Sequence, residues 1–285
     1  MDLINLNKKK FTLSFEIFPP KTIKGEEKLW STLDRLALYQ PNFISVTYGA
    51  GGSTRDKTLE LALKIKQDYN LLPLVHFTCV GASKEEIKKY LQEAKQHGLN
   101  NILALRGDPP QGEKKFTPGP NGFSYANELV SFIKKVDSFK IGVAGYPEGH
   151  PESSSLDQDL DNLKKKVEAG ASFIITQLFY DNNFFYEFVN KARQKGVKVP
   201  ILPGVMPLTN LNQIDKIPSM FGASIPLKLK ELARKYTDPK SLQKAGIDFS
   251  IEQCQNLQTW GVAGFHLYTL NRADSVEQII KALKF

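Results

Sequence analysis

Residues 140–179 read KIGVAGYPEGHPESSSLDQDLDNLKKKVEAGASFIITQLF, one complete turn of the pattern that decides the fold. The short apolar run Lys140–Ala144 is followed by a loop stiffened by proline, Tyr146-Pro147-Glu148-Gly149-His150-Pro151. Leu156–Ala169 comes next, with Leu156, Leu160, Leu163 and Val167 at helical spacing, and Ser155 with Gln158 has the spacing of a capping box. Gly170 stands where a left-handed residue ends a helix. The β-branched and aromatic run Phe173–Phe179 then opens. Strand, helix and strand in that order form the unit of a parallel sheet with helical crossovers.

The same alternation extends in both directions. Strand candidates are Phe11–Phe18, Phe43–Tyr48, Leu74–Val80, Asn101–Leu105, Lys140–Ala144, Phe173–Phe179, Val199–Val205 and Gly264–Leu270, and helical stretches such as Lys84–His97 before Gly98 lie between them. Eight such units in 285 residues predict an α/β fold, a TIM (β/α)8 barrel, whose typical size is about 250 residues. The excess falls between strands seven and eight, where Ile225–Trp260 reads as two or three extra helices. A doubly wound open sheet is the competing architecture. No linker or change of composition divides the chain, so one domain over 1–285 is expected.

Composition narrows the class further. With 41% hydrophobic and 11% aromatic residues the chain can bury a large core, which excludes a mainly disordered protein. No run of about 18 apolar residues predicts a membrane span. Cys79 and Cys254 are too few and too far apart for a disulfide framework or a zinc site. The first residues, Met1-Asp2-Leu3-Ile4-Asn5, lack the order of a signal peptide, and a cytoplasmic protein is expected. The net charge of +8 favours anionic partners. Runs such as Lys8-Lys9-Lys10 and Lys164-Lys165-Lys166 read as solvated helix faces, without the interleaved aromatics that single-stranded nucleic acid requires. Neither a nucleic-acid nor a membrane partner is expected; the oligomeric state stays open, a homo-oligomer included.

A barrel places its chemistry at the carboxyl ends of the strands. Polar groups stand there on seven of the eight: Glu16, Thr47 and Tyr48, His76 with Thr78, Arg106 and Asp108, Tyr146, Gln177, and Thr269 to Arg272. Glu16 lies between Phe15, Ile17 and Phe18, and apolar surroundings would raise its carboxyl and keep it protonated as a general acid; a strand-end carboxylate paired with a lysine is the alternative. Arg106 and Asp108, two apart, face one way on an extended strand and could simply pair. Asp159, Asn162 and Lys166 border the apolar stripe of their helix, an arrangement able to grip a ribose and a diphosphate, or simply the flank of an amphipathic helix. Tyr48-Gly49-Ala50-Gly51-Gly52-Ser53-Thr54 misses both the GxGxxG and the Walker patterns, and Ser53 or Thr54 would cap the helix that follows. His76, His97, His150 and His266 show no metal-ligand spacing, and none is expected.

Taken together, Ser14-Phe15-Glu16-Ile17-Phe18-Pro19-Pro20, Ser45 through Asp56, Ala104-Leu105-Arg106-Gly107-Asp108, Tyr146 through Pro151, Ile175 through Asp181, Leu202-Pro203-Gly204-Val205-Met206-Pro207 and Phe265 through Arg272 resemble the methylenetetrahydrofolate reductase family, in order and over nearly the whole chain. The resemblance implies a flavoprotein barrel that passes hydride from NADH or NADPH to FAD, and from FAD to 5,10-methylenetetrahydrofolate, yielding 5-methyltetrahydrofolate. It makes Glu16 the general acid and Asp108 an ionised group that favours the cationic folate. Gln177, Gln213 and Arg272 would hold the folate. It assigns FAD to Thr47, Tyr48, Ala50, His76, Arg106, Gly107, Asp108, Tyr125, Ala126, Tyr146, His150, Ser153, Asp159, Asn162, Lys165 and Lys166. Lys165 stands where some bacterial members have Arg, and Ile217 where some have an aromatic against the folate's benzoyl ring. Two other classes remain open at this point: a folate-binding or flavin-binding barrel without turnover, and a basic nucleic-acid-binding barrel.

Overall fold

The computed structural model describes residues 11–48, 55–108, 116–236 and 238–283. Strands β1 (Thr12–Ile17), β2 (Phe43–Val46), β3 (Pro73–Thr78), β4 (Asn101–Leu105), β5 (Lys140–Gly145) and β6 (Phe173–Thr176) alternate with helices α1 (Ile23–Ala37), α2 (Arg55–Asp68), α3 (Lys84–Gln96), α4 (Ala126–Val136) and α5 (Leu156–Glu168), and α6 (Asn182–Gln194) follows β6. Each strand pairs in parallel with the next. The seventh stave is split. β7 (Ile201–Leu202) pairs with β6, β8 (Gly204–Val205) pairs with β9 (Gly264–Tyr268), and Pro203 lies between them. Proline has no N–H for a ladder, so the stave changes partner at that residue. β9 returns to β1, with Ser14 opposite His266 and Glu16 opposite Tyr268, and the sheet closes.

The predicted (β/α)8 barrel is therefore present, with α10 (Asp274–Leu283) after β9, α9 (Pro239–Trp260) packed between α6 and α10 as the seventh barrel helix, and α7 (Leu211–Phe221) and α8 (Leu227–Lys235) inserted before it. The insertion begins earlier than its apolar pattern suggests, because α7 precedes the predicted stretch. Several predicted strands end sooner in the structure: β2 at Val46, β3 at Thr78, β6 at Thr176 and β9 at Tyr268. Past β6 the Gln177 side chain accepts the N–H of Leu178 (2.9 Å), which turns the chain out of the ladder. Of the predicted capping box on α5, the Ser155 half forms: its hydroxyl accepts the Gln158 N–H at 3.1 Å.

Alternation along the strands makes two cores. Phe15, Ile17, Val75, Phe77, Val143 and Leu267 pack outward under the helices. Phe43, Leu74, Leu103, Phe173, Ile175 and Leu202 fill the lumen. α9 seats against the loop after β8 at Gly246, where a Cβ would stand 1.8 Å from the carbonyl oxygen of Leu208, so only glycine allows this approach. Gly246→Ala is expected to lower the unfolding free energy by about 3 kcal/mol, as measured by urea denaturation.

Candidate active site

Glu16 leaves the last turn of β1 pointing into the mouth of the barrel, with 18% of its side chain exposed. Its Oε2 lies 3.4 Å from His266 Nε2, 3.4 Å from His76 Nε2 and 3.5 Å from the Ser45 hydroxyl, which donates to it. Burial pushes the carboxyl up, but the hydrogen bond with His266, the two imidazoles and Ser45 together outweigh it, and the carboxyl lies below its ordinary value. This corrects the sequence expectation. Phe15 and Ile17, beside Glu16 in the chain, face the helices and Phe18 is exposed; the neighbours of Glu16 in space come from β2, β3 and β9 and are polar.

Residues to which the resemblance assigns no role hold the site together. The Thr269 hydroxyl donates to the carbonyl of Glu16 (2.7 Å), and the Asn271 side chain accepts the Phe18 N–H (3.0 Å) and donates to the Phe18 carbonyl (2.8 Å). Leu270 and Asn271 both take positive φ, 50° and 55°, to make this turn. The sequence places Thr269 and Asn271 among the polar groups at a strand end but gives no role to them, to His266 or to Ser45. All four are polar residues at or near the carboxyl ends of β2 and β9, within the stretches Ser45–Asp56 and Phe265–Arg272 that carry the resemblance.

His76 is buried, and burial pushes its imidazole down to about 4 despite the nearby Glu16 carboxylate. Its Nε2 faces Glu16 off the hydrogen-bond direction. With Thr78 Oγ1, two residues along β3, it is one of the buried polar atoms without a hydrogen-bond partner among the described residues. Beside them Gly107 takes φ +90° with its backbone against Val80 and Thr78; a Cβ there would lie 2.5 Å from Val80 Cγ2.

A second group gathers past β4 and β5. Arg106 does not pair with Asp108; it forms a fork with Glu152 (2.5 and 2.6 Å) and lies over the Phe116 ring. Glu152 raises Arg106, and Arg106 lowers Glu152. The Tyr146 ring meets His150 edge-on at 4.7 Å, and burial pushes the Tyr146 phenol up and the His150 imidazole down. The Ser153 hydroxyl donates to Asp159 (3.5 Å). Asp159 is buried and raised by that burial, although Lys166 works against it. Lys166 turns away from the solvent, donates to the carbonyl of Ala144 (2.7 Å), and is pushed by burial down to about 8. The Lys164–Lys166 run is thus not one solvated face: Lys164 pairs with Glu168, Lys165 is exposed and reaches Asn162, and Lys166 is drawn inward.

The remaining candidates take other positions. Thr47 continues from β2, its N–H donating to the carbonyl of Ile17 (2.9 Å), and the Tyr48 ring meets Phe77 edge-on. Tyr125 is the exposed N-cap of α4, which Ala126 opens. Asp108 and Arg272 are exposed on the mouth loops. Gln213 is committed to the start of α7, where its Oε1 accepts from the backbone of Thr209 (2.6 Å) and Asn210 (3.1 Å). Ile217 is buried in the small core of the inserted helices. Ala50 and the glycines around it, with Ser53 and Thr54, lie outside the described residues.

This geometry defines a class: a closed parallel (β/α)8 barrel with a carboxylate and two imidazoles at the carboxyl ends of its strands. Residues 3–284 match the family model described as methylenetetrahydrofolate reductase, and the chain belongs to that family. It is 38% identical over 266 residues to the 5,10-methylenetetrahydrofolate reductase of Escherichia coli K12, covering 93% of this chain and 88% of that protein. It is 43% identical over 270 residues to methylenetetrahydrofolate reductase (NADH) 1 of Arabidopsis thaliana, covering 90% of this chain and 46% of that one. The chain thus spans about half the length of the plant relatives it matches. A Clostridium thermocellum protein, described as binding two copies of 5-methyl-5,6,7,8-tetrahydrofolic acid, shares the fold at TM-score 0.65 and 14% identity, covering 98% of this chain and 96% of that one. Among the described residues no helix is long and apolar enough to cross a membrane, and no cluster of His, Cys, Asp and Glu is suited to a metal ion.

The depressed His76 has a consequence for stability. The unfolded imidazole takes its proton near 6.5 and the folded one near 4, so stability falls as pH drops through that window. His76→Gln should remove about 2 kcal/mol of the loss between pH 7 and pH 5, read as the difference between the two proteins' urea curves at each pH.

Proposed function

We propose that this chain reduces 5,10-methylenetetrahydrofolate to 5-methyltetrahydrofolate in two half-reactions, with FAD as resident cofactor and NADH or NADPH as hydride donor. The observation that supports it most is the position of Glu16. The carboxyl that the family resemblance makes the acid stands at the barrel mouth, partly open, and among groups able to exchange a proton with it. Bound FAD would supply the hydride relay between the nicotinamide and the folate.

The residues present suit a flavin. His76 Nε2 and Thr78 Oγ1 are buried without partners beside the close-packed Gly107 backbone, and a flavin ring edge would satisfy them. Asp159 and Lys166 border the same mouth from α5, the acid suited to a ribose hydroxyl and the ammonium to a diphosphate. Arg106 would exchange its fork with Glu152 for cofactor contacts.

In the folate half-reaction Glu16 protonates the bridging amine nitrogen of the substrate. The adjacent carbon–nitrogen bond of the five-membered ring then breaks and leaves a 5-iminium cation that accepts hydride. The pterin covering the mouth strips solvent from Glu16, and desolvation favours the neutral acid. Asp108 favours the cation electrostatically. Gln177 offers its carboxamide to the pterin edge and, in the other half-reaction, to the nicotinamide. Arg272 suits the carboxylate of the folate tail.

Glu16→Gln should leave flavin reduction by NADH within about twofold and slow flavin reoxidation by methylenetetrahydrofolate by at least about 10²-fold, measured separately in an anaerobic stopped-flow instrument; equal damage to both would remove the acid role. Lys166→Met should weaken FAD retention about 10- to 100-fold, read by titrating flavin-free protein with FAD.

A further inference from the structure

The lumen below Glu16 is polar where a barrel of this kind is ordinarily apolar. Ser14, Ser45 and His266 are fully buried there, and three buried polar side chains in one layer cost stability unless each has a partner. Their partners are one another and Glu16. His266 stacks on Phe43 at 5.9 Å and meets Tyr268 edge-on at 5.4 Å, which fixes the plane of the ring. Its Nδ1 lies 2.8 Å from the Ser14 hydroxyl, which also lies 3.2 Å from the carbonyl of Phe265. Its Nε2 faces Glu16 and Ser45, each at 3.4 Å. The imidazole thus has a structural partner on one nitrogen and the acid on the other. That is the pattern by which a histidine's tautomer and orientation are set.

We propose that His266 is a positioning residue for Glu16 in the folate half-reaction: held by Ser14, it shares a single proton with the carboxyl and delivers it to Glu16 when the substrate covers the mouth. The inference rests on the folate-reductase reading above. An oxygen and an unprotonated nitrogen do not attract, so the Nε2–Oε2 contact is a hydrogen bond only when one proton lies between them. The proton of that contact can lie on either atom, Nε2 or Oε2. Under a pterin the neutral arrangement is favoured, and the proton moves to Glu16 Oε2. From there it passes to the bridging amine nitrogen as the carbon–nitrogen bond opens. A bound reduced flavin would supply the hydride to the cation, and the pair regains one proton from water after the product leaves. One proton and one hydride are consumed per turnover, as the reduction requires. The other groups around Glu16 do not substitute. His76 is driven toward the neutral form by burial and is off the hydrogen-bond direction, Ser45 and Thr269 carry hydroxyls, and the Tyr268 phenol donates to the carbonyl of Thr176 (2.9 Å).

His266→Gln keeps a polar group of similar reach that cannot carry a titrating proton. The flavin-loaded variant is compared with the flavin-loaded wild type across pH 5.5–8.5, each reduced by NADH and then mixed with methylenetetrahydrofolate. The expected result is reoxidation slowed by about 10²-fold, with the pH dependence of that step displaced and the reduction step within about twofold. Wild-type reoxidation rate and pH profile in the variant would overturn the proposal. If His266→Gln does not load flavin, Ser14→Ala decides: about 10-fold slower reoxidation with a displaced pH profile supports it, and an unchanged profile overturns it. A wild type that methylenetetrahydrofolate cannot reoxidise would instead refute the functional reading beneath it.

Discussion

The parallel pairing of β1 with β9 closes the barrel and in the same act sets Glu16 among the polar groups at its mouth. Ser14 faces His266 and Glu16 faces Tyr268 across that seam, so residues some 250 positions apart meet at the mouth. A slip of one residue in this register would turn Glu16 toward the helices and bring Phe15 and Ile17 into the lumen. The seam is therefore held at both edges. Thr269 and Asn271 bind the backbone of Glu16 and Phe18, and the split at Pro203 lets one stave serve β6 below and β9 above.

The lumen is divided by side. On β4, β6 and β7 its inward residues, Leu103, Phe173, Ile175 and Leu202, are apolar and supply packing energy. β9, β1, β2 and β3 add the polar His266, Ser14, Glu16, Ser45, His76 and Thr78, with the apolar Phe43 and Leu74 at the start of β2 and β3. The apolar half offsets the desolvation of the polar half, so that ionisable groups can stand above a packed base with little water near them. Glu16 is poised between opposing influences there: burial raises it and its hydrogen-bonding neighbours lower it. Covering the mouth changes only the first of these. A carboxyl held in that balance can change its protonation state with the presence of substrate, as an acid that works once per turnover must.

The fold was legible because its signals are local. Periodicity, a Gly cap such as Gly170 and the turn residues between runs each act over a few positions, and they marked all eight staves. The site was legible only in part. Glu16 showed itself as a charge in an apolar strand, and the α5 ridge as polar residues bordering a core stripe. The environment of Glu16 did not show, because it is made by Ser45 and His266, which adjacency in the chain cannot reveal. The partner of Arg106 did not show for the same reason: Asp108 is near in sequence, but Glu152, on the loop after β5, offers the fork that a guanidinium favours. Within the run Lys164–Lys166 helical spacing already sets Lys166 at the border of the core stripe, and one step of 100° separates the exposed Lys165 from the inward Lys166.

The account stands on the claim that this barrel carries hydride to a folate through a bound flavin. Anaerobic stopped-flow absorbance of the purified wild-type protein loaded with FAD tests it directly. The flavin band near 450 nm should bleach on mixing with NADH or NADPH and return on mixing with 5,10-methylenetetrahydrofolate, with 5-methyltetrahydrofolate formed in equal amount. A protein that binds no FAD, or whose reduced flavin is not reoxidised by that folate, would contradict it.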